Sequence, residues 1–182
     1  LGLGTVGGGT LTVLRRNAEE ISRRAGREIR VIRAAVRNLE KAKPLAGDLP
    51  LTTNPFDVVD DPAIDIVVEL IGGLEPAREL VLQAIANGKH VVTANKHLVA
   101  KYGNEIFAAA QAKGVMVAFE AAVAGGIPII KALREGLTAN RIEWLAGIIN
   151  GTSNFILTEM RDKGAAFDDV LKEAQRLGYA EA

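Results

Sequence analysis

The apolar positions of this chain alternate between a helical spacing and short, nearly continuous β-type runs. An amphipathic stretch from Thr10 to Arg24 follows directly on a glycine-rich opening, "LGLGTVGGGT". "REIRVIRAAV" then supplies a strand ending near Val36. "IDIVVELIGG" supplies another, closed by Gly72 and Gly73 and apolar enough to be buried on both faces. Pro76 opens a helix that runs to about Asn87 and stops at Gly88, after which "KHVVTAN" reads as a strand. A helix from about Lys96 to Lys113 ends at Gly114, and "VMVAFEAAV" is the strand after it. This alternation, from residue 10 to about residue 123, predicts a doubly wound parallel sheet, with a further strand expected in front of Leu1.

Beyond Gly125 and Gly126 the rhythm changes. The pattern predicts a helix from Pro128 to Leu137, a strand from Arg141 to Ile149, a turn at Asn150-Gly151 and two helices to about Leu177. The expected division is therefore a dinucleotide-binding domain over residues 1–124 and the start of a second, α+β domain over 125–182. "RIEWLAGII" is too apolar on both faces for an exposed edge strand. It predicts a sheet whose outer side joins another subunit.

Composition narrows the class. The 182 residues are 48% hydrophobic and 24% charged, enough for a real core and unlike a disordered chain. With 22 basic and 22 acidic residues, and no basic run longer than Arg15-Arg16 or Arg23-Arg24, no electrostatic footprint for nucleic acid is present. The absence of cysteine removes disulfides, thiolate metal sites and a cysteine nucleophile, and fits a reducing compartment. No apolar stretch approaches the roughly 18 to 20 residues of a membrane span, so a soluble, cytoplasmic protein is expected. With Leu1 in place of Met, a native start, and any targeting segment on it, is expected upstream of the sequence.

Gly2, Gly4 and Gly7 fit G-x-G-x-x-G. Alone this is weak and compatible with a flexible terminus, but a helical pattern and then a strand follow it, the setting of a dinucleotide site. A helix N-terminus supplies free donors and partial positive charge for a diphosphate. Gly4 would let the backbone approach it, and Thr5 and Val6 would line it. Where an NAD-type site carries an acid for the ribose, this chain has Arg37, whose guanidinium suits a 2′-phosphate and leans the cofactor towards NADP. Lys41 and Lys43 read equally well as solvated charges.

"TANK", Thr93 to Lys96, falls where a strand ends and a helix begins, the edge on which ligands sit in open α/β sheets. Asn95 reads as an N-cap, while a lysine at a helix N-terminus is electrostatically misplaced, which favours a functional role for Lys96. As a base near pH 7 it would need roughly 4 kcal/mol of environmental help. As a cation steadying a developing alkoxide it needs none. Spacing alone leaves Glu120 as a carboxylate in water and Pro128 as the first residue of a helix. Asn150-Gly151-Thr152 is a turn signal before it is a glycosylation sequon. His90 and His97 share no spacing with other metal ligands and read as structural.

Taken in order, "GLGTVGGG", "ELIGG", "VVTANKHLVA", "FEAAVAGGIPII", "GIINGTSNFILTEM" and "EAQRLGYAEA" resemble the homoserine dehydrogenase family across almost the whole chain. The resemblance implies a Rossmann-type domain followed by a substrate-binding and dimerisation domain. It also implies a nicotinamide-dependent interconversion of L-aspartate 4-semialdehyde and L-homoserine on the route to threonine, isoleucine and methionine. Carried over, Thr5, Val6, Arg37, Thr93, Lys96 and Gly178 would meet the cofactor, NADP with NAD possible, and its nicotinamide is expected along the edge formed by Gly72-Gly73 and Thr93 to Lys96. Lys96 would also lie near the reacting carbonyl, and Glu181 would hold the substrate's amino group. Glu120, with carbonyls of Val123, Gly125 and Ile127, resembles the family's monovalent cation site, usually sodium, and the family resemblance points to a homodimer. In the family, "LGYAEA" is followed by an aspartate and a second lysine that serves as proton donor, and the sequence stops before that segment. Both ends are therefore expected to be cut. A Rossmann-type reductase for another carbonyl, and a nucleotide-binding module without chemistry, are the rival readings.

Overall fold

The helix that the pattern starts at Thr10 begins five residues earlier. In the computed structural model, which describes residues 1–148 and 150–180, α1 spans Thr5–Arg16 and takes the glycines at 7, 8 and 9 into its first turns. Glycine disfavours a helix by about 1 kcal/mol relative to alanine, but here close packing overrides propensity. A Cβ on Gly7 would stand 2.2 Å from the carbonyl oxygen of Gly2. α1 stops at Asn17, whose backbone leaves the helical region, and the chain resumes as α2, Ala18–Ala25, closed by left-handed Gly26. The single predicted helix is thus two.

β1 is only Ala34–Ala35, and the isoleucines and valine at 29 to 32 lie outside the sheet, partly exposed. The stretch that the apolar pattern leaves blank folds as α3 (Leu39–Ala46), β2 (Leu51–Thr52) and α4 (Phe56–Val59), short elements with Pro44 inside α3, Pro50 just before β2 and Pro55 just before α4. β3 (Ile66–Glu69), α5 (Ala77–Ala86), β4 (His90–Thr93) and α6 (Lys96–Lys113) follow where the pattern puts them. β5 is Val117–Ala118, shorter than its apolar run because a 3₁₀ turn, Glu120–Ala122, replaces the strand. α7 (Ile129–Lys131) continues as a π turn, Ala132–Gly136, and α8 (Gly151–Lys163) and α9 (Phe167–Arg176) complete the described chain.

All strand pairs are parallel, with β1 beside β2 and β4 between β3 and β5. Leu1 and Gly2 occupy the slot between the two groups: Leu70 N–H donates to the Leu1 carbonyl at 2.9 Å, and Gly2 N–H donates to the Ala35 carbonyl at 2.9 Å. The resulting order, β2, β1, Leu1–Gly2, β3, β4, β5, is the doubly wound Rossmann order, whose ligands sit where the strand order reverses. Leu80, Val81 and Ile85 of α5 and Leu98 and Ile106 of α6 pack with Val67 and Val91 of the sheet, all buried. Each such side chain contributes about 1.5–3 kcal/mol. Across the outer surface of the helix pair, Arg78 of α5 grips Glu105 of α6 at 2.6 and 2.9 Å and lies over the Tyr102 ring at 4.8 Å.

The chain divides into two compact units, Leu1–Gly136 and Leu137–Ala182. α7 and its π turn stay with the first. In the second, α8 and α9 share Ile156, Val170 and Ala174, and the Phe155 and Tyr179 rings meet edge to face at 5.2 Å. The strand expected from Arg141 to Ile149 is not formed over residues 141–148, and Ile149 lies outside the described residues. A strand is stabilised by its ladder, and no segment among the described residues pairs with this one, so Trp144, Leu145 and Ile148 are exposed, Trp144 at 79%.

Candidate functional site

The three motif glycines each have a distinct place. Gly2 turns with φ +88°, and a Cβ there would approach the Leu70 carbonyl oxygen at 2.9 Å. Gly7 packs against Gly2, while the space over Gly4 is empty to 4 Å. Gly8 N–H closes the first helical turn on the Gly4 carbonyl at 2.7 Å, whereas the N–H groups of Thr5, Val6 and Gly7 have no backbone acceptor among the described residues. No acidic side chain sits in the first turn of α1, and Thr5 and Val6 are exposed. Free donors, an uncompensated helix end and open space over a glycine together fit a diphosphate.

Arg37 lies just past β1, where the Val36 N–H still bonds the Thr52 carbonyl at 2.9 Å. Its guanidinium is exposed and forms no ion pair among the described residues. Asn38 beside it caps α3 by accepting from Lys41 N–H at 2.9 Å. An exposed cation at this edge remains available to an anionic ligand.

At the neighbouring strand ends, sequence reasoning passed over one residue. Glu69, the last of β3, is fully buried and paired in register with Thr93, the last of β4. One carboxyl oxygen accepts from Ile71 N–H at 2.9 Å and from Gly72 N–H at 3.2 Å, and the other accepts from the Thr93 hydroxyl at 2.6 Å. The same hydroxyl oxygen accepts from Asn95 N–H at 3.0 Å, and Asn95 Nδ2 returns to the Gly73 carbonyl at 2.7 Å. The sequence signal was a lone acid on the inward side of an otherwise apolar strand, a placement that requires satisfied hydrogen bonds. Thr93 is itself buried, its hydroxyl engaged on both sides. Gly72 and Gly73 take φ +71° and +74° with nothing within 4 Å of where a Cβ would be.

Asn95 caps α6 by accepting from Leu98 N–H at 3.1 Å, as its position before a helix implies. Lys96 is the first residue of α6, exposed and outside every ion pair among the described residues. His90 is structural, its Nδ1 accepting from Met116 N–H at 2.9 Å and joining β4 to the residue before β5. Glu120 is not a carboxylate in water: half-buried, it accepts from Ile130 N–H and Lys131 N–H, each at 2.9 Å, and so caps α7. The Ile127 carbonyl accepts from Ile129 N–H at 2.8 Å, Val123 is half-buried, and Gly125 is exposed. Gly178 belongs to the second unit, where it turns with φ +76° after α9, and Glu181 lies outside the described residues.

The family model for the homoserine dehydrogenase NAD-binding domain matches residues 2–120, and that for homoserine dehydrogenase itself matches residues 128–182. The chain belongs to the homoserine dehydrogenase family. Homoserine dehydrogenase of Pseudomonas aeruginosa is 70% identical over 181 residues, and that of Neisseria gonorrhoeae 65% identical over 182. All of this chain is covered in both matches, against 42% of each relative's length. A crystal structure of a homoserine dehydrogenase from Thiobacillus denitrificans superposes with a TM-score of 0.93 at 94% identity, over the whole of this chain and 42% of that one. A hyperthermophilic archaeal homoserine dehydrogenase in complex with NADPH matches with a TM-score of 0.83 at 29% identity, over 99% of this chain and 60% of that one. The Rossmann architecture of the first unit is shared with these homoserine dehydrogenase structures.

Proposed function

We propose that the full-length protein is an NAD(P)-dependent homoserine dehydrogenase, interconverting L-aspartate 4-semialdehyde and L-homoserine on the route to threonine, isoleucine and methionine, in the cytoplasm. The observation that carries this reading is the glycine cradle at the start of α1, with its free N–H groups and the empty space over Gly4. A nicotinamide nucleotide, when bound, supplies hydride transfer. The chain's own residues bind and orient it. The amides of Thr5, Val6 and Gly7 take the diphosphate, Arg37 takes a 2′-phosphate and favours NADP, and the Gly72–Gly73 and Thr93–Lys96 turns form the shelf for the other end. Lys96 holds positive charge against the substrate oxygen as it becomes an alkoxide. Gly178 is assigned to the cofactor and Glu181 to the substrate's amino group, on the family resemblance. The proton donor is assigned to a lysine in the segment that follows "LGYAEA" in the family.

Glu120, with the carbonyls of Val123, Gly125 and Ile127, is assigned to a monovalent cation, sodium in the first instance. Each Glu120 oxygen accepts one amide in the cap of α7 and keeps a lone pair for a second partner. The exposed apolar face of residues 141–148 supports a homodimer.

The test is homoserine oxidation by the full-length protein, followed by appearance of the reduced nicotinamide. In Lys96→Ala, kcat should fall by about 10²-fold or more while the NADPH dissociation constant moves by less than about threefold, the signature of charge stabilisation confined to the transition state. Near-normal turnover in that variant removes Lys96 from the mechanism. A wild-type protein with no saturable NADPH or NADH complex overturns the functional reading.

A further inference from the structure

From the hydrogen-bonded circuit at the ends of β3 and β4 we infer that Glu69 is a positioning residue, holding through Thr93 and Asn95 the Gly72–Gly73 turn and the start of α6 in one fixed relation. The inference deepens the proposed function and rests on it.

Glu69 stands in a position that packing alone would give to an aliphatic residue. Its neighbours of the same inward face, Val67 on β3 and Val91 on β4, are buried at 1% exposure each, and Glu69 is buried at 0%. Burying a carboxyl group there is costly, and a well-packed apolar residue is often at least as stabilising as a satisfied polar one. What the carboxyl adds is direction. Its partners among the described residues are hydrogen-bond donors from two separate turns, Ile71 and Gly72 on one side and Thr93 on the other. The circuit then closes: Thr93 accepts from Asn95 N–H, and Asn95 donates to the Gly73 carbonyl.

The circuit joins turns that carry the residues of the proposed site. Gly72 and Gly73 both take positive φ, and neither has a side chain to anchor it, with no atom within 4 Å of where a Cβ would stand. Lys96 follows Asn95 directly, and its N–H bonds the Ala94 carbonyl at 3.1 Å, so the backbone from which its ammonium extends is set inside the same circuit. Glu69 also fixes the Thr93 proton. The hydroxyl donates to Glu69, leaving its oxygen to accept from Asn95 N–H, and a group unable to accept at that point breaks the sequence of donors and acceptors.

Glu69→Gln keeps the shape but turns an amide N–H₂ towards the Thr93 oxygen, which already accepts from Asn95. In the full-length enzyme, kcat should fall roughly 10- to 100-fold, the scale on which a misplacement of about 1 Å acts. Affinity for 2′,5′-ADP, which reads the glycine loop and Arg37, should stay within about threefold of wild type. The deuterium isotope effect with NADPH labelled at the transferred hydride should rise as that step becomes more strongly rate-limiting. Thr93→Val cuts the circuit at a second point and should lose activity in the same direction, Thr93→Ser should recover it, and the Glu69→Gln/Thr93→Val double variant should lose no more than the worse single one. A lowered melting temperature with unchanged kcat and isotope effect in Glu69→Gln, or a Thr93→Val protein indistinguishable from wild type, overturns the inference. If wild type binds NADPH but does not oxidise homoserine, the substrate assignment fails. The circuit is then judged by whether Glu69→Gln weakens NADPH relative to 2′,5′-ADP. Wild type that binds neither ligand overturns both.

Discussion

At Gly7 the carbonyl oxygen of Gly2 already occupies the room a side chain would need, whereas over Gly4 there is open space. The two glycines therefore answer the same substitution differently. Gly7→Ala should destabilise the fold by about 1–3 kcal/mol or more through overpacking against backbone, read from a denaturant midpoint. Gly4→Ala should leave that midpoint nearly unchanged but weaken NADPH binding at least tenfold, about 1.4 kcal/mol, because its methyl group stands where the diphosphate approaches. The positions of such residues were legible in the sequence: three glycines at fixed offsets around a helix start, and a lysine at another helix start, where dipole logic disfavours one. Glu69 was not. Its function lies in a register partnership with Thr93, 24 residues away, which no local pattern reports.

At the scale of elements, the long periodic segments read cleanly. β3, α5, β4 and α6 each carry an uninterrupted apolar pattern with a stop signal, and the structure places them accordingly. The stretch between Arg37 and Ile64 gave no signal because its strand β2 is two residues long and held by its neighbour β1 rather than by alternation. The reverse holds for residues 141–148, which have the composition of a strand but no ladder to join among the described residues. Helix–helix contact supplies a pH prediction. The hydrogen bond from Arg78 holds the Glu105 carboxyl below its usual value of 4.5. A carboxyl with a depressed folded-state value contributes stability that is present above its unfolded value and lost as pH falls through the folded one. Acidification below the ordinary carboxylate range should therefore loosen α5 from α6. Glu105→Gln should flatten that acid limb in a series of unfolding curves while changing little near neutrality, where surface pairs contribute modestly. An acid limb identical in wild type and variant would show that other carboxyls govern it.

For the whole molecule, the exposed indole of Trp144 is the anchor to test. Large aromatic side chains dominate the energetics of interfaces where they are buried, and Trp144, Leu145 and Ile148 form an exposed apolar run in the second unit. Trp144→Asp in the full-length protein should raise the dissociation constant of the proposed homodimer at least tenfold, about 1.4 kcal/mol, in sedimentation equilibrium. A dimer as tight as wild type would place the subunit contact elsewhere.

Among the described residues, the backbone of Leu1–Gly2 bonds to Ala35, at the end of β1, and to Leu70, just past β3, and so ties the two strand groups into one sheet. Their cores are unequal: Leu11, Ala34, Ala46 and Leu49 form a small cluster on the Arg37 side, against the much larger one around α5 and α6. Opening free energies within one domain follow such local differences, so the wing on the Arg37 side should breathe first, with the other acting as its anvil. A dinucleotide lying across the reversal point would splint the looser wing to the stiffer one, and binding energy would go partly into tightening the sheet itself.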